Sequence, residues 1–124
     1  MKVEMSIGDV YDRITISRIK LNKISNKEKL KNVIKEYEKL VKLFPDDLQD
    51  DVLFKQLYEI NLRIWNIEDK IRKKESLQEF DKEFIELARN VYFTNDERAE
   101  LKKIINTKTN SDLVEEKEYV KYGE

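Results

Sequence analysis

The sequence predicts an all-α fold, an antiparallel helical bundle of about four helices built around a long third helix. Three observations carry this. The 124 residues contain only two Gly and one Pro, so few positions break a helix and many-turned β architectures are disfavoured. Charged residues make up 41% beside 40% hydrophobic ones, the mixture expected of helices with narrow apolar stripes. Apolar residues also recur at three- and four-residue spacing along most of the chain.

A short strand is expected at Val3 to Met5, followed by Ser6 as the cap of a first helix with Asp9 near its positive end. That helix carries Ile7, Val10, Ile14, Leu21 and Ile24 on one stripe, interrupted at Ser17 and widened by Tyr11, Ile16 and Ile19, and should end near Ile24. Ser25-Asn26-Lys27-Glu28 has the S-x-x-E form of a capping box, so a tight turn into a second helix is predicted. The second helix places Leu30, Val33, Ile34, Tyr37, Leu40, Val41 and Phe44 on one side and stops at Pro45, whose ring cannot continue the ladder. Asp46 or Asp47 restarts the chain. The third helix should run from about Asp47 to Glu75, with Leu53, Leu57, Ile60, Ile64, Ile67 and Ile71 on one stripe and Phe54, Tyr58, Asn61, Trp65, Glu68 and Arg72 on another. Two stripes imply two packing partners. A break at Ser76 to Glu79 is followed by Asp81 as a cap, with Phe80 and Ile85 as a hydrophobic staple, and by a fourth helix reaching about Asn106. Residues 107–124 form an acidic tail with enough apolar side chains, among them Leu113, Val114, Tyr119, Val120 and Tyr122, to dock in part on one domain spanning 1–124.

The absence of Cys and His removes disulfides, thiol nucleophiles and imidazole bases, and leaves carboxylates as the only ligands a metal could find. No apolar run nears the roughly 20 residues that span a bilayer, and Met1 to Met5 lacks the apolar region of a secretory signal, so a cytoplasmic protein without a membrane partner is expected. Net charge is −1, which argues against bulk attraction to nucleic acid. Arg18 to Phe44 does hold nine basic and three acidic residues, yet Glu28, Glu36 and Glu38 interleave with Lys27, Lys31, Lys35 and Lys42, the pattern of a solvated face.

With consecutive helices antiparallel and the third turn centred near Gln78, Asn95 should stand opposite Asn61, Arg98 near Tyr58, and Arg89 near Glu68. Asn61 and Asn95 would form a polar layer that sets helix register. Trp65, Glu68, Asp69, Arg72 and Arg89 combine carboxylates, guanidinium forks and an aromatic plane, which suit a nucleotide or sugar, although an ordinary salt-bridge network around a core Trp explains them as well. A Mg²⁺-dependent nucleotide or nucleotide-sugar hydrolase would need inward carboxylates in E-x-x-E and E-x-x-D motifs. Glu68, Asp69, Glu83, Glu86, Asp96 and Glu97 do not supply these convincingly, so no metal or other cofactor is expected outside that alternative.

Several blocks together resemble a family of small bacterial and tailed-phage proteins known only as a domain of unknown function. They are Ser6-Ile7-Gly8-Asp9 leading into Asp12 to Ile16, Lys29 to Val33, Trp65 to Arg72, Phe84 to Arg89, Asn95 to Ala99, and Leu113 to Lys117. Tyr11, Ser17, Arg18 and Glu118 depart from the family's pattern. The resemblance implies a shared helical fold, a microbial or viral origin, a bacterial setting near genes of surface-polysaccharide synthesis, and a C-terminal segment belonging to the domain. It implies no catalytic residue. It singles out Asp12, Glu68, Asp69, Arg72, Asn95, Asp96 and Arg98 as motif positions.

On the same height map the third and fourth helices extend a turn or two beyond the first two. The overhanging end carries Ile71, Leu77, Phe80, Phe84 and Ile85, an apolar surface better suited to a homo-oligomer or protein partner than to water. The expectation is therefore a non-enzymatic interaction module, with a ligand-binding or hydrolytic protein as the alternative use of the Trp65, Glu68, Asp69 and Arg72 face.

Overall fold

A computed structural model describes residues 1–44 and 51–122 and contains four helices: α1 (Ile7–Lys23), α2 (Lys27–Val41), α3 (Val52–Ser76) and α4 (Lys82–Lys108). Val3 to Met5, expected as a strand, has no regular secondary structure, and no strand occurs among the described residues. α1 begins where Ser6 accepts a hydrogen bond from the Asp9 amide. The cap of α2 is Asn26 rather than Ser25, because Asn26 is the residue whose side chain accepts from the Lys29 amide, 3.0 Å away. α2 ends at Val41, before Pro45, as its last carbonyls turn to the Leu43 and Phe44 amides in tighter bonds. Pro45, Asp46, Asp47 and Asp50 lie outside the described residues. Within them α3 begins at Val52, because Asp51 takes the amides of Leu53 and Phe54 as N-cap, and this corrects the start expected at Asp47.

Both long helices stop in the same way. Gln78 and Asn110 adopt left-handed conformations, with φ of 57° and 58°. The amide beyond each reaches back to a carbonyl of the last turn, Glu79 to Lys74 at 3.0 Å and Ser111 to Asn106 at 2.8 Å, which closes each helix with a Schellman motif. Asp81 then starts α4 by accepting from the Phe84 amide. At this turn Lys74 lies among Asp81, Glu83 and Glu79 at 2.8, 3.2 and 3.3 Å, and its pKa is raised, first by the hydrogen bond to Asp81.

The helix that organises the fold is α1, not α3. It packs against α2, α3 and α4, while α3 packs against α1 and α4. Its central place follows from two buried stripes. Val10, Ile14 and Ser17 form one, and Gly8, Asp12, Thr15 and Ile19 form the other at helical spacing, half concealed in the sequence by polar residue types. The core joins Val10, Tyr11 and Ile14 to Phe54, Leu57 and Ile60 of α3 and to Leu101 and Ile105 of α4. α2 contributes only partly buried side chains; Tyr37, Leu40 and Val41 lean on this core, Phe44 just beyond the helix meets the Tyr11 ring edge-on at 5.2 Å, and Ile34 faces solvent.

Two close contacts set the hub. A Cβ on Gly8 would stand 2.7 Å from the Lys102 carbonyl and 2.9 Å from Asn106 Oδ1, so only glycine lets α1 and α4 approach this closely. Tyr11 donates to Asp51 at 3.2 Å, which ties α1 to the cap of α3. Burial, the Asp51 charge and that hydrogen bond push the Tyr11 hydroxyl up to about 12. No helix among the described residues is long and apolar enough to cross a membrane.

Candidate functional site

The polar residues of the chain gather where the middle of α1 meets α3 and α4. Asp12 is only 5% exposed. Its Oδ1 accepts from Asn61 Nδ2 at 2.9 Å and from Arg98 Nε at 2.9 Å, and its Oδ2 accepts from the Arg98 Nη2. Thr15 closes the cluster, donating to the Asp12 carbonyl at 2.7 Å and accepting from Asn61 at 2.8 Å. The guanidinium fork thus meets a carboxylate in bidentate form between two helices, with an amide from a third element fixing its orientation.

One turn toward the α1 N-terminus, Lys102 bridges Asp9 at 2.8 Å and Glu115 at 3.0 Å. Burial opposes its charge, but the hydrogen bonds to Asp9 and Glu115 prevail and its pKa is raised. Glu115 also pairs with Lys117 at 2.8 Å, and hydrogen bonds from Lys117 and then Lys102 hold its carboxyl at about 2. Glu116 pairs with Lys103 at 3.2 Å. Through these contacts residues 111–122 run back along α4 without regular structure. Further along, Tyr122 donates to Asp96, and its ring meets Tyr92 and Phe93 edge-on at 5.3 and 5.2 Å. A cleft of about 250 Å³ between the segment and α4 is lined by Asp96, Ala99, Lys102, Asn106, Glu115 and Tyr119 among others.

The expected register between α3 and α4 is displaced by about one turn. Asn61 bonds Asp12 and Thr15 of α1, not Asn95, and Arg98 forks onto Asp12, not Tyr58. Arg63 meets Glu97 at 3.1 Å, which marks the observed register. Arg89 lies over the Phe93 ring at 5.6 Å, not beside Glu68; Glu68 pairs instead with Arg72 on its own helix at 3.6 Å. Trp65 is half-buried, while Asp69 and Arg72 stand in solvent. Of the residues singled out by resemblance, the structure brings Asp12 and Arg98 together, places Asn95 and Asp96 with Arg98 around an adjoining cleft on α4, and leaves Glu68, Asp69 and Arg72 on the remote hairpin. Among the described residues no group of three or more acidic side chains is placed to hold a metal ion.

Thr15, Asn106, Ser111 and Gly8 also belong to this junction, and helical spacing does not mark them. Ile7 donates to Ser111 Oγ at 3.1 Å and Gly8 donates to Asn106 Oδ1 at 2.6 Å, so the free amides of the α1 N-terminus are taken by the end of α4 and the turn that follows. The Ser6-Ile7-Gly8-Asp9 and Leu113-to-Lys117 blocks were the signal, since their partners lie at this junction. Each carboxylate of the network, from Asp9 and Asp12 to Glu115 and Glu116, has a cation, and among the described residues no buried side-chain nitrogen or oxygen lacks a hydrogen bond. A saturated network of this kind fixes packing and register and leaves no carboxylate poised as a general base.

In comparisons with known proteins, the family described as "Family of unknown function (DUF6165)" matches residues 1–122. No curated protein and no solved structure matches.

Proposed function

From the premise that the chain belongs to the DUF6165 family of unknown function, we propose that it is a non-enzymatic helical interaction module that pairs with a second copy of itself through the distal part of the α3/α4 hairpin. One observation carries this. From Leu62 to Phe93 no residue is buried, although the stretch holds Ile64, Trp65, Ile67, Ile71, Phe84, Leu87 and Val91 half-covered and Leu77, Phe80 and Ile85 more than half exposed. Two helices alone cannot enclose such a stripe. Two hairpins of the same kind can, as a four-helix bundle with a two-fold axis. The stretch also carries seven basic and seven acidic residues, so a second copy meets no net repulsion.

On the face that a hydrolytic reading would use, Glu68 is paired with Arg72 of its own helix and Asp69 stands in solvent, an arrangement that favours an interaction surface over a carboxylate-held Mg²⁺ centre. The bacterial or phage cytoplasm is the setting we assign to the pairing. Light scattering tests it: the wild-type chain should be dimeric at micromolar concentrations and Phe80→Asp monomeric with unchanged helical circular dichroism. A wild-type chain that stays monomeric across that range sinks the self-association.

A further inference from the structure

A further groove lies between α4 and the C-terminal segment, sharing Asp96 and Tyr119 with the cleft described above and Val91 with the hairpin stripe. It is an open groove of about 480 Å³ lined by Tyr92, Asn95, Asp96, Tyr119 and Tyr122 together with Val91 and Val120. Its chemistry is uneven. Three tyrosine rings, 43–68% exposed, and two valines supply an open apolar surface whose ring faces carry negative charge density, and Asp96 is the only charged group among the lining residues. Asp96 accepts from the Tyr122 hydroxyl, and among the described residues no lysine or arginine stands within ion-pairing distance of it, whereas its neighbour Glu97 is paired with Arg63.

The same aromatic surface already receives cations from the chain. The Arg89 guanidinium lies 5.6 Å from the Phe93 ring centre, and the Lys117 ammonium lies 5.7 Å from that of Tyr119. We infer that this pocket is a binding site for a small organic cation carrying a methylated ammonium group, held by the rings of Tyr92, Tyr119 and Tyr122 and by the charge of Asp96. A methylated ammonium suits the walls better than a bare one. It is weakly hydrated, makes apolar contact through its methyl groups, and keeps its charge for the ring faces and the carboxylate. An anion would face Asp96, and a neutral apolar molecule would gain nothing from it.

The test uses the full chain, titrated with choline and with tetramethylammonium and followed by NMR of the tyrosine ring signals, with 3,3-dimethylbutanol as the uncharged isostere of choline. Saturable shifts confined to Tyr92, Tyr119 and Tyr122 are expected for both cations, with dissociation constants on the order of 1–10 mM, and no comparable shift for the alcohol. Asp96→Asn should weaken choline binding by about tenfold. Because that change also removes the partner of the Tyr122 hydroxyl, Tyr119→Ala provides a second measure. It leaves the Glu115, Glu116 and Tyr122 contacts of the segment in place and should weaken binding by about two- to fivefold. The inference fails if neither cation gives a saturable shift up to on the order of 100 mM, if the alcohol matches choline, or if Tyr119→Ala binds as tightly as the wild-type chain.

Discussion

Asp12 accepts hydrogen bonds from an amide and a guanidinium while lying 5% exposed in the middle of α1, and its removal would strand Arg98 against the core. Breaking one side of such a buried pair costs about 3–5 kcal/mol, a large part of the roughly 5–15 kcal/mol that holds a domain folded. Asp12→Ala should therefore lower the unfolding free energy extrapolated from urea denaturation by about that amount. Replacing both partners, with Asp12→Leu and Arg98→Met together, should recover most of the loss, since no buried charge is then left unpaired. A double variant no better than the single one would show that the pair acts through something other than charge. At this scale the sequence was partly legible. Asn61 stands out as an amide on an apolar stripe, and it is indeed a buried polar layer. Its partner was hidden because Asp12 and Thr15, ordinary polar letters in α1, complete a buried stripe that a count of apolar residues passes over.

The elements were easier to read, because helix ends follow from local chemistry. Ser6 and Asp81 cap where their side chains can reach an amide three residues on, and the breaks at Gln78 and Asn110 need the left-handed conformation that ends a helix. Boundaries differed where the capping residue was another than expected, Asn26 rather than Ser25 for α2 and Asp51, beyond the start expected at Asp47, for α3, since spacing alone does not say which side chain reaches the free amides. Docking of the C-terminal segment was expected through its apolar residues, yet Leu113, Val114, Tyr119, Val120 and Tyr122 are all exposed and charged pairs fasten it to α4. That fastening makes its docking depend on pH. Glu115 has its carboxyl lowered from an ordinary 4.5 to about 2, so its contribution is fully present above about 4.5 and is lost as pH falls toward 2. The NMR ring signals of Tyr122, which packs on Tyr92 and Phe93, should move toward free-tyrosine positions over that interval, and Glu115→Gln should reduce the change.

For the whole molecule, the long hairpin attracted attention by length, whereas the hub is the shorter α1, buried on two sides. Length measures reach, and centrality requires partners on more than one face. The register map erred by about a turn because it used the loop centre alone. The observed pairing is set where Arg63 and Glu97 meet and where Asn61 and Arg98 converge on one carboxylate. The hairpin beyond that point has half-covered side chains and exposed backbone neighbours, so its local stability should track its association. Amides of residues 64–90 should exchange faster on dilution below the dimer's dissociation constant, while those of α1 change little. Equal response of both regions would place the interface elsewhere.

The capping of α1 has a consequence for how the chain is made. Two of its first amides find their partners in Asn106 and Ser111, 98 and 104 residues downstream. A polypeptide leaving the ribosome from its amino end thus exposes α1 before α2, α3 and α4 and completes its cap only after α4 has emerged. Until then α1 has neither its close neighbour across Gly8 nor its final hydrogen bonds, and the nascent chain behaves as a set of amphipathic segments waiting for a closure that the end of α4 and the turn after it deliver.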